Sequence, residues 1–154
     1  MFLQILNLPP APLKCRNVAR QTLVFDICRK QWVKLTPEEW VRQHWLHYLT
    51  SDLGISKSLI KVEQTIGEGT KTFRADLVVY AAASLMPYLI MECKAAHVAI
   101  NEQVLQQVLH YQHSIAAQAL AISNGLQHVF FEKTTTGIMQ PVPMLSIMEN
   151  KMKQ

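Results

Sequence analysis

The stretch Asp76–Lys94, DLVVYAAASLMPYLIMECK, begins with one acid, ends with an acid and a lysine, and carries no charge in between. Its uncharged part, residues 77–91, is shorter than the roughly 20 apolar residues that a membrane-spanning helix needs, and it contains Pro87. The small residues 81–84 instead predict a turn between two buried strands. The sequence therefore favours a buried β-hairpin in a soluble protein.

The register of this hairpin brings three charged side chains together. Its midpoint falls at Ser84, so antiparallel pairing sets Asp76 opposite Glu92, with their Cα atoms about 5 Å apart. Side chains two residues apart on a strand share a face, which puts Lys94 beside Glu92 and turns Cys93 the other way. Two carboxylates can bind Mg²⁺, and a neighbouring ammonium can orient water or stabilise negative charge. The spacing alone equally allows solvated strand ends joined by a salt bridge.

Strand and helix signals alternate on both sides of the hairpin. The first helix has a sharp start, with Thr36 as N-cap and Pro37 at its first position, and it ends at Gly54. Strands are predicted at residues 22–27, 31–35, 59–66, 73–80, 88–94, 119–123 and 129–132, and a second helix at 101–116. The order helix, three strands, helix and strand predicts an α/β (α+β) domain with a mixed sheet flanked by helices.

Composition and charge limit the class of protein. With 154 residues, 49% hydrophobic and 17% charged, the chain is predicted to form a single folded domain, residues 1–154. Its three cysteines form no C-x-x-C pair, and no signal peptide is evident, so we expect reduced thiols and a cytoplasmic location. Residues 1–37 hold six Lys or Arg and one acid, a balance that suits a polyanionic partner or simply a solvated surface.

Several motifs together resemble a known family. Arg74-Ala75-Asp76, followed by Glu92-Cys93-Lys94, resembles the D…(D/E)-x-K signature of the PD-(D/E)XK nuclease superfamily. The match is closer to the N-terminal nuclease domain of type I restriction enzyme R subunits, where a helix bearing Q-x-x-x-Y follows, as Gln107–Tyr111 does here. Residues 35–43, 123–125 and 130–132 also look like that family. The resemblance covers residues 20–132 as a restriction-endonuclease-like core, which leaves 1–19 as an N-terminal extension and 133–154 as a C-terminal segment.

The resemblance implies a metal-dependent deoxyribonuclease that hydrolyses phosphodiester bonds with Mg²⁺, or with Mn²⁺ in its place. Asp76 and Glu92 would ligate the metal, and the backbone carbonyl of Cys93 would be a third ligand. Lys94 would be the catalytic lysine.

Three further residues are assigned to the site by the same resemblance. Gln107 and Tyr111, one helical turn apart, would help to place Lys94 or the DNA backbone. Of the two acids Glu38 and Glu39, Glu39 would be the one that the first helix contributes. Thr36-x-x-Glu39 is also a capping box, which explains a glutamate there without any catalytic role.

The sequence departs from the family in two respects. Ala75 stands where the superfamily has its proline, and no nucleotide-binding G-x-x-x-x-G-K-[ST] loop is present. Type I restriction couples cleavage to ATP-driven translocation, so we expect DNA and a motor or specificity protein as partners, and a homodimer if both strands are cut. The alternatives are a catalytically silent DNA-binding module that acts with a partner protein, and a structural interaction domain.

Overall fold

The computed structural model describes residues 4–111 and 117–144 as a mixture of strands and a few helices. Its strands are β1 (Cys15–Val18), β2 (Gln21–Asp26), β3 (Gln31–Lys34), β4 (Ile60–Glu68), β5 (Lys71–Tyr80), β6 (Pro87–Cys93), β7 (Ala119–Ser123), β8 (His128–Lys133) and β9 (Met139–Val142). Helix α1 (Pro37–His47) continues into a π-helical turn, Tyr48–Asp52, and a 3-10 turn, Lys57–Leu59, precedes β4. Helix α2 (Glu102–Tyr111) lies between β6 and β7.

The strands form two sheets, a three-stranded one in the order β1-β2-β3 and a six-stranded one in the order β4-β5-β6-β7-β8-β9. Among these described strands, β6 and β7 pair in parallel and the other neighbours pair antiparallel. Parallel neighbours need a crossover, and the segment containing α2 supplies it. The predicted fold class, a mixed sheet with helices in a restriction-endonuclease-like arrangement, is confirmed.

The predicted register of the hairpin is also confirmed. Leu77 pairs with Met91 and Val78 with Ile90, the same alignment that sets Asp76 across from Glu92. The register shifts at Val79 and Tyr80, just before the turn.

The six-stranded sheet is buried on both faces. One cluster joins α1 to the sheet through Trp45, Leu77 and Met91, and the other joins α2 to the opposite face through Val78 and Ile90. The alternation along β5 and β6 follows from the two-residue period of a strand. The ends of these strands are therefore fixed by packing from both sides.

Helix α1 begins as the sequence predicts. The Thr36 side chain accepts a hydrogen bond from the backbone N–H of Glu39 at 3.0 Å, and Pro37 occupies the first turn. The chain leaves the helix before Gly54, whose φ of +70° a residue with a side chain rarely adopts. Among the described residues, no helix combines the length and the hydropathy needed to cross a membrane.

Candidate active site

Strands β5 and β6 bring the three predicted charged residues to one end of the sheet. Lys94 Nζ donates a hydrogen bond to Glu92 Oε1 at 2.7 Å, and Asp76 Oδ2 accepts one from the backbone N–H of Cys93 at 2.7 Å. The side chains of Asp76, Glu92 and Lys94 keep 14%, 27% and 24% of their exposure. They are thus half-buried, where charges interact more strongly than they do in water.

The electrostatics of these residues show an excess of negative charge. Burial raises the pKa of the Glu92 carboxyl, and the charge of Asp76 raises it further, against the opposing effect of Lys94. Burial alone would lower the pKa of Lys94, but its hydrogen bond to Glu92 and the charges of Glu92 and Asp76 raise it overall. Lys94 is therefore a cation at neutral pH, and the carboxylates beside it would be stabilised by additional positive charge.

Arg42 of α1 is a member of the site that sequence reasoning missed. Its Nη2 donates to Asp76 Oδ1 at 2.7 Å and to Glu38 Oε1 at 2.9 Å, while its Nη1 donates to Glu39 Oε2. Its side chain keeps only 5% of its exposure. Burial lowers the pKa of Arg42, but Asp76 and Glu39 outweigh that effect and raise it. Arg42 thus fixes the orientation of Asp76 from the helix above the sheet.

The two acids of α1 have different surroundings. Glu39, the sequence-predicted site residue, is buried and accepts hydrogen bonds from Arg29, Arg42 and Gln43. Glu38 is 45% exposed. Burial raises the pKa of Glu38, and the charge of Asp76 raises it further. Glu38 in turn raises the pKa of Glu92, so Glu38 is the acid of α1 that is electrostatically coupled to the strand carboxylates.

A buried polar network extends from Asp76 to the three-stranded sheet. Asp26, with no exposed surface, accepts hydrogen bonds from the side chains of Arg29 and Gln43. Arg29 also donates to Glu39 at 3.2 Å and to Glu63 at 2.6 Å. The turn after β2, helix α1 and strand β4 are thereby linked to one another by ion pairs.

Glu63 has a strained backbone close to Asp76. Its φ is +53°, within a strand whose flanking residues Val62 and Gln64 pair with Leu77 and Ala75. Asp76 is the residue between those two partners. Non-glycine residues in this conformation cost about 1–3 kcal/mol and concentrate at functional sites. No sequence signal indicated it.

The segment Ser123–Gly125, which is one of the stretches that resemble the family, contacts the chain where it leaves β6. The backbone N–H of Lys94 donates to the carbonyl of Ser123 at 2.8 Å, and the Asn124 side chain donates to the carbonyl of Val98 at 2.9 Å. Trp45 of α1 donates to the Ser123 hydroxyl at 2.8 Å. These contacts hold the chain at Lys94 and at Val98.

The backbone of α2 includes Gln107 and Tyr111, one turn apart and following β6 as expected. Their side chains lie outside the part of the chain that the structure describes, so their assignment to the site stays a prediction.

The donor set suits a hard cation. Among the described residues, no three side chains of the His, Cys, Asp or Glu type are grouped to hold a metal ion. A metal at this position would therefore be held by Asp76, Glu92 and backbone or water oxygens. Mg²⁺ is typically bound by one or two carboxylates and keeps several waters, so the residues present fit this ion.

Comparison with known proteins gives one family and one solved structure. Residues 37–145 match the family described as the type I restriction enzyme R protein N terminus. The fold is similar to a fragment assigned as an HsdR subunit of a type I restriction enzyme from Vibrio vulnificus YJ016, with a TM-score of 0.51 and 20% identity. That alignment covers 70% of this chain and 23% of the solved one, so the chain spans about a quarter of the length of that structure. No curated protein matches the chain.

Proposed function

Since the chain belongs to the family of type I restriction enzyme R protein N-termini, we propose that it is a metal-dependent DNA nuclease domain of the PD-(D/E)XK type. The observation that carries this proposal is the convergence of Asp76, Glu92 and Lys94 at the end of β5 and β6, with Lys94 Nζ 2.7 Å from Glu92 Oε1. Two carboxylates can bind Mg²⁺, and an ammonium beside them can stabilise charge on a phosphoryl transition state.

Each residue of the site has a distinct part in this chemistry. Asp76, Glu92 and the Cys93 carbonyl would hold Mg²⁺, which supplies hydroxide at neutral pH and offsets charge on the phosphate. The Lys94 ammonium would stabilise negative charge on the phosphate oxygens or orient the attacking water. Arg42 is a positioning residue, since it would act on the phosphate chemistry through the carboxylates of Asp76 and Glu38 that it binds.

Glu38 is placed to assist the two strand carboxylates. It is half-exposed, and Asp76 and Lys94 both influence its pKa. We propose that its carboxylate, which shares Arg42 Nη2 with Asp76, would hold a water next to the metal-binding carboxylates. Glu39 remains the other candidate from α1, although its carboxylate is already engaged by two arginines.

We further propose that DNA is the substrate and that other restriction subunits are partners. The solved relative is named as a restriction enzyme subunit, and the present chain matches a quarter of it. Sequence choice and translocation would then come from outside this domain. A homodimer would be needed only if both strands were cut together.

The test is a plasmid assay with purified wild type, Lys94→Ala and the exposed control Lys34→Ala. Supercoiled and linear DNA are incubated with Mg²⁺, Mn²⁺ or EDTA. We expect nicking by the wild type and Lys34→Ala with either metal, none in EDTA, and nicking slower by about 10²–10³-fold with Lys94→Ala. Undiminished cleavage by folded Lys94→Ala contradicts the proposal. DNA binding without any cleavage by the wild type supports the alternative, a catalytically silent DNA-binding module.

A further inference from the structure

A cavity of about 420 Å³ lies between the turn after β2, the 3-10 turn and strand β4. Four cationic residues, Arg29, Lys30, Lys57 and Lys61, contribute to its lining, and none of its lining residues is an acid. Strand β4 is the edge strand of the six-stranded sheet, so the cavity opens beside the sheet and not inside it.

Within the part of the chain that the structure describes, acids neutralise only one of these four cations. Arg29 is within hydrogen-bond distance of Asp26, Glu39 and Glu63. Lys30, Lys57 and Lys61 make no ion pair with any residue in the described ranges 4–111 and 117–144. Like charges that share a cavity repel one another, and a bound anion would relieve this repulsion.

A second cavity continues the same basic region. It has a volume of about 380 Å³, shares Lys30 and Lys57 with the first, and adds Lys14 and His47 without any acid. Phe25 and Pro12 form part of its wall. The two cavities share Lys30 and Lys57, and we call them together the lysine groove.

The lysine groove lies close to the candidate active site. Lys61 pairs with Val78, which is two residues from Asp76, so the Cα atoms of Lys61 and Asp76 are about 8 Å apart. Arg29 joins the two regions physically, because it lines the cavity and also binds Glu39 and Glu63.

We propose that the lysine groove binds the backbone phosphates of the same DNA strand that the site at Asp76 and Glu92 cleaves. This inference rests on the proposed function, which supplies DNA as the substrate. Lysines contact phosphates as point charges and carry no sequence information. The groove would therefore hold the strand in register for cleavage regardless of its sequence.

The experiment compares wild type with Lys57→Ala/Lys61→Ala and with a control of equal charge, Lys34→Ala/Lys133→Ala, whose residues line neither cavity. Binding of a fluorescent duplex is measured by anisotropy in EDTA, where no cleavage occurs, over a range of salt concentrations. The slope of log K against log salt should fall by about 0.9 for each groove lysine removed. The control should keep the wild-type slope.

A second measurement locates the bound strand. In ¹H–¹⁵N spectra, the same duplex should shift the amide signals of residues 28–30 and 57–62, while inorganic phosphate or a mononucleotide at equal phosphate concentration should shift them less. Equal salt slopes for the two double variants would overturn the proposal. Tighter binding of the free phosphate or mononucleotide than of DNA would overturn it as well, because the groove would then serve a small ligand.

Failure of this inference is distinguishable from failure of the proposed function. If Lys57→Ala/Lys61→Ala keeps the wild-type salt slope and the protein cleaves DNA with metal, the lysine groove does not bind DNA phosphates, but the proposed nuclease function is supported. If the double variant has a reduced salt slope but the wild type never cleaves DNA, the lysine groove binds DNA phosphates and the proposed nuclease function is refuted.

Discussion

Replacing Arg42 with methionine removes the cation that joins α1 to Asp76. The side chain of Arg42 is 5% exposed and pairs with Asp76, Glu38 and Glu39, so the substitution leaves carboxylates without their counter-charge. Breaking a buried pair by removing one partner costs about 3–5 kcal/mol.

The lower end of that range applies here. Glu39 keeps Arg29 and Gln43, and Asp76 keeps the backbone N–H of Cys93. Arg42 Nε is buried without a hydrogen-bond partner among the described residues, a cost that methionine removes. We therefore expect a loss of about 3 kcal/mol, which lowers Tm by about 6–12 °C in a domain of this size.

Urea and thermal unfolding at pH 7 measure this loss directly. The control is Arg74→Met, because Arg74 is 64% exposed and pairs with Glu63 at 3.0 Å. Exposed pairs contribute little, so this variant should stay within about 0.5 kcal/mol of wild type. If Arg42→Met lost no more stability than Arg74→Met, the buried network would not hold α1 against the sheet as described.

Three further predictions follow from the site and the fold. Because burial and Asp76 raise the pKa of Glu92, its carboxylate opposes folding once the pH exceeds the unfolded value of 4.5. Without metal, Glu92→Gln should have a higher urea midpoint than wild type at pH 7 and an equal midpoint at pH 4. A lower midpoint at pH 7 would contradict the upward shift of the Glu92 pKa. Mg²⁺ at 100 times its Kd should add about 2.7 kcal/mol of stability to wild type and none to Asp76→Asn, as measured by thermal unfolding, and equal gains would place the metal elsewhere. In urea, Gly125→Ala should lower the free energy of unfolding by about 1–3 kcal/mol more than Gly54→Ala does. A Cβ at Gly125 would lie 2.7 Å from Leu6 Cδ2, while one at Gly54 meets nothing within 4 Å. Equal losses for the two variants would mean that the Leu6 side chain moves aside without cost.

The hairpin and its charged ends could be predicted because local rules determine them. The uncharged run limited the strand lengths, and the two-residue period then set Asp76, Glu92 and Lys94 at one end. The start of α1 followed from Thr36 and Pro37 in the same way. Both signals lie within a few residues of the feature that they specify.

The polar network could not be predicted because its partners are distant in sequence. Arg42 and Asp76 are 34 residues apart, and their contact depends on how α1 docks on the sheet. Helical periodicity can identify an apolar face, but it gives no partner for a buried arginine. The strand β1 was also missed, since its residues are all exposed and show no alternation. The positive φ of Glu63 could not be predicted either, because a glutamate, unlike a glycine, does not indicate this backbone conformation.

The central claim is that Lys94, beside Asp76 and Glu92, contributes directly to phosphodiester hydrolysis. The most direct test is the single-turnover rate of DNA cleavage in saturating Mg²⁺ for wild type, Lys94→Ala and Lys34→Ala, with folding of each confirmed by its thermal transition. Removing one group that stabilises transition-state charge typically lowers the rate by about 10²–10³. We predict that loss for Lys94→Ala and an unchanged rate for Lys34→Ala. Equal rates for all three proteins would contradict the assignment of the site.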